Sequence, residues 1–199
     1  HEVRVSGDQI ETLSAASGPP GTTVEVRNLF FNVPARQKFL RSSPTEIGHI
    51  TEQITRIALV QPGVAFRLTH NGRVVHDLRP TGGMRSRIAD FYGQELADAL
   101  LDIRRHERGL KIIGHVSSPV DSRSSAKYQY LFLNGRFIRD RFIAAAVREA
   151  YRGLMEPHRH PVLFLAFEID PATIDVNVHP TKIEVRWQDS NVLYSQVLS

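Results

Sequence analysis

Three arginines follow a short turn signal in the second half of the chain. Asn134-Gly135 predicts a tight two-residue turn, and Arg136, Arg139 and Arg141 come soon after it. A guanidinium presents a planar fork of donors that matches the oxygens of a phosphate group. The spacing therefore predicts a phosphate-binding loop in which the turn directs Arg136 outward.

A second explanation is that the arginines pair with the nearby acids Asp140 and Glu149. Residues 123–159 hold eight basic and three acidic residues, a balance of +5 against +4 for the whole chain. Such a concentrated basic stretch is typical of a surface that faces a polyanion. We expect no bulky aromatic side chain to lie exposed beside the arginines, which favours contact with phosphates over stacking on bases.

Lys182 follows a break in the run DVNVHPTKIEVRW, which covers residues 175–187. His179-Pro180 should interrupt strand pairing, because proline has no N–H to donate. Lys182 would then protrude from a strand edge, where its ammonium group is well placed to contact a terminal phosphate. The alternative is an ordinary solvated surface lysine.

Gly21-Thr22 is another candidate for phosphate binding. Gly21 would let the backbone pass close to a ligand, and Thr22 would offer a hydroxyl and an N–H. Residues 22–26 are predicted to form an extended strand. The alternative is a plain core strand that begins at a turn glycine.

Composition excludes several classes of protein. The 199 residues include no cysteine, which excludes disulfides and cysteine-bound zinc and favours a reducing compartment. No apolar run approaches the roughly 20 residues of a membrane span, and no signal peptide opens the chain. His158 and His160 lack a third ligand at suitable spacing, so no metal site is predicted.

The first long helix is predicted to have Ser43 as its N-cap, directly before its first residue, Pro44. Pro44 suits the first turn of a helix, and Glu46 would complete a capping box with Ser43. Apolar residues at helical spacing predict the buried stripe of this helix. The stripe consists of Ile47, Ile50, Ile54 and Ile57.

The remaining pattern indicates an α+β fold, because hairpins are frequent among alternating strands and helices. Residues 64–78 predict a hairpin around Asn71-Gly72, residues 79–83 a linker, and residues 162–169 a buried strand. A later helix would be capped by Asp140 and run to about Leu154. Its inward-facing residues are predicted to be Phe142, Ala146, Val147, Ala150 and Tyr151.

Taken together, three stretches resemble signatures of the MutL family of DNA mismatch-repair proteins. They are GTTVEVRNLFFNVPARQKFL, YLFLNGRFIRDR and DVNVHPTKIEVRW, in the family's order and at about its spacing. The resemblance covers the chain from Gly21 to Trp187. It implies that residues 1–77 are the C-terminal part of a GHKL (Bergerat) ATPase sandwich. Residues 78–199 would be a transducer domain similar to domain 2 of ribosomal protein S5.

The resemblance also implies roles for single residues. Thr22 matches the threonine of the last ATP-binding motif, and Lys182 matches the lysine that reaches toward the γ-phosphate. Arg141 matches an arginine implicated in DNA binding, and Arg136 and Arg139 lie in the same loop. ATP and Mg²⁺ are thus expected cofactors of the full-length protein. None is expected on this chain alone, because the family's general-base Glu, Mg²⁺-binding Asn and adenine pocket do not occur in it.

The implied partners are the DNA backbone, a MutS-type mismatch recognition protein, a downstream nuclease or helicase and a second copy of the full-length protein. The expected location is the bacterial cytoplasm, in association with the nucleoid. The runner-up hypothesis is a stand-alone S5-like nucleic-acid-binding module without nucleotide chemistry. A type II topoisomerase subunit or an Hsp90-like chaperone is disfavoured, because the Asn-Val-Pro-Ala-Arg and His-Pro-Thr-Lys stretches resemble MutL signatures.

Overall fold

The computed structural model describes residues 1–175 and 183–198. The chain divides into two compact units, residues 1–48 and residues 49–199. This division differs from the boundary predicted between residues 77 and 78, which stays a prediction. Among the helices of the described residues, none is both long and apolar enough to cross a membrane.

The first unit is built on one hairpin. Strand β1 (Glu2–Ser6) pairs antiparallel with β2 (Gln9–Ser14), and a short helix α1 (Pro34–Gln37) begins at a proline. None of residues 1–48 is buried. The strand predicted over residues 22–26 is wrong, because no neighbouring strand among the described residues offers it a ladder partner.

Helix α2 (Ser43–Val60) begins one residue earlier than the predicted cap implies. The carbonyl of Ser42 accepts from the N–H groups of Thr45 and Glu46, at 2.9 and 3.0 Å. Glu46 reaches back as a capping-box residue does, but its Oε1 accepts from the N–H of Arg41 at 2.7 Å. Ser42 therefore takes the N-cap position, one residue before the predicted one, and Glu46 reaches past it to the backbone of Arg41.

The buried face of α2 also differs from the predicted isoleucine stripe. Thr55, Ala58 and Leu59 are buried, whereas Ile50 and Ile57 are 48% and 49% exposed. Sequence periodicity gives the shape of an apolar stripe, but the partner surface decides which side of the helix is covered. Here that surface is aromatic, and it also accepts polar side chains of α2.

A five-stranded sheet forms the centre of the second unit, in the order β5-β6-β9-β7-β8. Every neighbouring pair is antiparallel except β7 and β9, which are parallel. The strands are β5 (Leu100–Glu107), β6 (Leu110–Ser117), β7 (Gln129–Leu133), β8 (Arg136–Ile138) and β9 (Leu163–Glu168). Strand β9 confirms the buried strand predicted over residues 162–169.

Shorter elements surround this sheet. Two further strand pairs are β3 (Phe66–His70) with β4 (Arg73–Leu78), and β10 (Ile174–Asp175) with β11 (Arg186–Trp187). The other helices are α3 (Met84–Tyr92), α4 (Gln94–Ala99), α5 (Arg141–Ala150) and α6 (Ser190–Leu198). The hairpin predicted around Asn71-Gly72 and the α+β class are confirmed.

Two hydrophobic clusters cover the two faces of the sheet. Tyr130 and Phe132 of β7 pack with Leu59 of α2 and with apolar residues of α3 and α4. Leu131 and Leu133 point the other way and pack with residues of α5 and α6. This alternation along one strand is the expected result of the pleat, and it makes the second unit a three-layer structure.

One glycine is required inside this sheet. Gly114 of β6 lies opposite Leu165 of β9 and has a φ of +147°. A Cβ at this position would lie 1.9 Å from the carbonyl oxygen of Phe164. Strands β6 and β9 can therefore approach each other closely only because residue 114 has no side chain.

Candidate nucleic-acid interface

The turn that precedes the three arginines has the predicted geometry. Asn134 and Gly135 both have positive φ values, 46° and 80°, as a type I′ hairpin turn requires. The side chain of Asn134 also holds the turn, because its Nδ2 donates to the Ile169 carbonyl at 2.9 Å. Its Oδ1 accepts from the Ile169 N–H at 3.0 Å. Arg136, the first residue of β8, thus stands on a fixed turn.

Arg139 and Arg141 follow β8, and the backbone of each is fixed by neighbouring structure. The N–H of Arg139 donates to the carbonyl of Ile183 at 2.9 Å, and Arg141 is the first residue of α5. All three arginines are exposed. Within residues 1–175 and 183–198, none of their guanidinium groups has a hydrogen-bond or ion-pair partner.

The acids expected to compete for these arginines are engaged elsewhere. Asp140 is buried, and its Oδ1 accepts from the N–H of Ile143 at 2.8 Å, which confirms its predicted role as helix cap. Its Oδ2 accepts from the indole Nε1 of Trp187 at 2.7 Å. Glu149 pairs with Arg152. Among the described residues, neither Asp140 nor Glu149 therefore forms an ion pair with the three arginines.

Two predictions about α5 are wrong. Phe142, predicted to face inward, is 53% exposed, because it lies about 100° around the helix from the buried Ile143. An exposed aromatic ring therefore does lie beside the arginines, and the predicted reason for disfavouring base stacking fails. The helix also ends at Ala150 rather than Leu154. The N–H of Arg152 donates to the Glu149 carbonyl at 3.0 Å, a tighter turn than the α-helix has.

A groove of about 490 Å³ runs beside the turn. Its lining residues are Gln53, Arg56, Ile57, Gly135, Arg136, Phe137 and Ile183. The guanidinium carbon of Arg56 lies 4.0 Å from the centre of the Phe137 ring, and its Nε donates to Glu52 at 2.9 Å. Arg56 is thus fixed in place by a cation–π contact and an ion pair, whereas Arg136 is available to a ligand.

A chain of hydrogen bonds, which the sequence did not indicate, ties this groove to the core. The Tyr92 hydroxyl donates to that of Tyr130 at 2.7 Å, and Tyr130 donates to Glu52 Oε2 at 3.1 Å. Burial raises the pKa of Tyr130 to about 12 and also raises the pKa of Tyr92. Both tyrosines therefore stay protonated as donors at neutral pH, and they fix α2 and α3 to β7.

The nucleotide-binding predictions fall in other parts of the chain. Thr22 lies in the first unit and is exposed, and the space where Gly21 would carry a Cβ is open. Lys182 lies outside the described residues. Within residues 1–175 and 183–198, no group of three His, Asp or Glu side chains could hold a metal ion. Arg136 begins β8, Arg139 follows that strand and Arg141 begins α5, while the roles of Thr22 and Lys182 remain separate predictions.

Comparison with known proteins gives a consistent family. Residues 88–199 match the family model described as DNA mismatch repair protein, C-terminal domain. The DNA mismatch repair protein MutL of Syntrophotalea carbinolica is 44% identical over 198 residues, which cover 99% of this chain and 32% of that protein. MutL of Pseudomonas paraeruginosa is 45% identical over 190 residues, or 94% of this chain and 30% of that protein. The chain thus spans about a third of the length of these relatives.

Solved structures show the same fold. The ATPase domain of the mismatch repair endonuclease MutL from Aquifex aeolicus has a TM-score of 0.65 at 26% identity, covering 90% of this chain and 65% of that chain. The Aquifex aeolicus MutL ATPase domain complexed with ADP has a TM-score of 0.55 at 27% identity, and the match covers 73% of this chain and 52% of that chain. The fold resembles part of a GHKL ATPase domain together with a transducer-type domain, in agreement with the predicted fold class. The matches in sequence and structure agree, and the chain belongs to the MutL family of DNA mismatch repair proteins.

Proposed function

We propose that this chain is part of an ATP-gated, DNA-binding coordinator that links mismatch recognition to the later steps of repair. The observation that carries the proposal is the group of three exposed arginines, whose guanidiniums have no partner among the described residues. Three exposed arginine side chains that have no partners within the described residues are available to bind a polyanion. Arg136, Arg139 and Arg141 would hold the DNA backbone through phosphate contacts, without reading bases.

The nucleotide side of the proposal rests on Thr22 and Lys182. Thr22 is exposed beside a glycine with open space around it, which fits the close approach of a phosphate group. A MutL relative of this fold is complexed with ADP. ATP, bound with Mg²⁺, would be the substrate, and the bond between its β- and γ-phosphates would be hydrolysed. Lys182 would place a positive charge beside the γ-phosphate. The presence of the γ-phosphate would thereby be linked to closure of the full-length protein.

The partners follow from the same role. A MutS-type recognition protein would precede this coordinator in the repair sequence, and a nuclease or helicase would follow it. The full-length protein would act as a homodimer in the bacterial cytoplasm, at the nucleoid.

Reversal of charge in the arginine loop tests DNA binding. In the full-length protein, Arg139→Glu with Arg141→Glu should weaken binding to duplex DNA roughly tenfold per arginine, because each substitution removes a charge-assisted hydrogen bond. The slope of log affinity against log salt should become shallower by about 0.9 for each phosphate that is no longer neutralised. Fluorescence anisotropy with a labelled duplex at several salt concentrations measures both quantities.

The matched control is Arg104→Glu. Arg104 is exposed on β5, and β5 and β8 form opposite edges of the sheet. This control should leave the salt slope unchanged. An unchanged slope in the double variant as well would show that the arginine loop is structural.

Replacement of Lys182 tests the nucleotide role. In the full-length protein, Lys182→Ala should lower ATP turnover by about 10²-fold, the usual effect of removing one donor from a developing charge. Lys127→Ala is the control, because Lys127 is an exposed lysine in another segment. Steady-state phosphate release and nucleotide-driven closure are the measurements. Lys182→Ala could leave phosphate release and closure unchanged while the double arginine variant binds DNA more weakly. The chain would then act as an S5-like nucleic-acid module without nucleotide chemistry.

A further inference from the structure

Helix α5 carries basic residues along the face that it turns to solvent. Arg141 and Arg148 are seven residues apart, which is close to two helical turns, so they lie on one side of the helix. Ala145 lies between them, one turn from each, and its small side chain leaves this side open. The buried residues Ile143 and Val147 face the sheet. Arg148 is therefore in line with the arginine loop, about 10.5 Å further along the helix axis.

The charge on Arg148 is not compensated within the described residues. Its neighbour Glu149 is an acid that could pair with it, but Glu149 pairs with Arg152. Arg148 itself is exposed, and its guanidinium has no hydrogen-bond or ion-pair partner within residues 1–175 and 183–198. This is the same condition as that of Arg136, Arg139 and Arg141.

A groove lies beside Arg148, between α5 and α6. It has a volume of about 450 Å³ and is lined by Ala145, Arg148, Glu149, Arg152 and Tyr194. The Tyr194 hydroxyl has no hydrogen-bond partner among the described residues, so it offers a second donor across the groove from Arg148. Because the Arg152–Glu149 pair is neutral as a whole, the groove has a net positive charge from Arg148.

We propose that Arg148 is a further phosphate contact, which extends the DNA-binding surface from the β7–β8 turn along α5. The ligand is the sugar–phosphate backbone of the same DNA that the arginine loop holds, so the inference rests on the proposed function. Arg141 and Arg148 would contact phosphates about 10.5 Å apart along one path. A contact between Arg148 and a phosphate would raise the affinity for DNA. It would not add a preference for any sequence, because phosphates are the same at every base pair.

The test compares single charge reversals in the full-length protein, with nucleotide held constant. Arg148→Glu should lower affinity for a labelled duplex about tenfold and make the salt slope shallower by about 0.9, the value for one phosphate contact. Arg148→Gln should give the same change in slope with a smaller loss of affinity. Arg104→Glu on the opposite sheet edge is the control for one charge reversal far from α5. Circular dichroism should show the same fold in all variants, because Arg148 is exposed.

The outcomes separate the inference from the proposed function. If Arg141→Glu weakens DNA binding but Arg148→Glu does no more than Arg104→Glu, the surface ends at the arginine loop and the inference is overturned. If Arg141→Glu has no effect, the proposed function itself fails. If Arg148→Glu disrupts binding to a protein partner while the DNA salt slope stays as in wild type, α5 is a protein-docking face and the inference is also overturned.

Discussion

Replacing Gly114 with alanine is expected to lower the free energy of unfolding by about 3–5 kcal/mol, from backbone strain and broken ladder hydrogen bonds. A new Cβ would lie 1.9 Å from the Phe164 carbonyl oxygen, which belongs to backbone and cannot turn aside. The φ of +147° is also unfavourable for any residue with a side chain. Strands β6 and β9 would have to separate, and both contribute to the core.

Gly48→Ala is a matched control for this prediction. Gly48 lies within α2, and nothing lies within 4 Å of the Cβ that alanine would add. The same chemical change should therefore stabilise the helix, by up to about 1 kcal/mol. Urea unfolding followed by circular dichroism gives both free energies. A loss below about 1 kcal/mol at Gly114 would mean that the two strands can separate at little cost.

The second large effect is expected at Asp140. Asp140→Ala removes the cap of α5, which costs about 1 kcal/mol, and leaves the buried indole N–H of Trp187 without its acceptor, which costs about 1–3 kcal/mol. We expect a loss of about 2–4 kcal/mol in unfolding free energy. The substitution would also free Arg139 and Arg141, the two residues that flank Asp140, from a fixed backbone.

Two further variants separate the roles of the two carboxylate oxygens. Asp140→Asn keeps an oxygen for the Ile143 N–H but presents an amide NH₂ to the Trp187 indole, so it should lose only the second contribution. Trp187→Phe removes the indole donor from the other side. A double-mutant cycle between Asp140→Asn and Trp187→Phe should show a coupling energy of about 1 kcal/mol or more. Additive effects would mean that the 2.7 Å contact contributes nothing to stability.

Local signals in the sequence predicted local structure well. The Asn134-Gly135 turn and the Asp140 cap each depend on residues within three positions along the chain, and the structure confirms both. The family was predictable as well, because three long signatures carry it. Such features can be predicted from the sequence without knowing how the rest of the chain folds.

Features that depend on distant partners were not predictable in the same way. Asp140 and Trp187 are 47 positions apart, and no local pattern joins an N-cap to a distant indole. The inward faces of α2 and α5 were misassigned at Ile57 and Phe142, because periodicity defines a stripe but not the surface that covers it. The roles of Thr22, Lys182 and the three arginines stay predictions until the variants above are measured.

The edges of the central sheet have a consequence for the behaviour of the protein at high concentration. Open sheet edges can pair with other chains and start aggregation, and short or charged edge strands prevent this. Strand β8 has only three residues and begins with Arg136, while β5 carries charged side chains at Asp102, Arg104 and Glu107. Arg136, which we propose contacts DNA, thus also protects one edge of the sheet. Variants that neutralise Arg136 should therefore be checked for self-association before weaker DNA binding is attributed to the missing guanidinium.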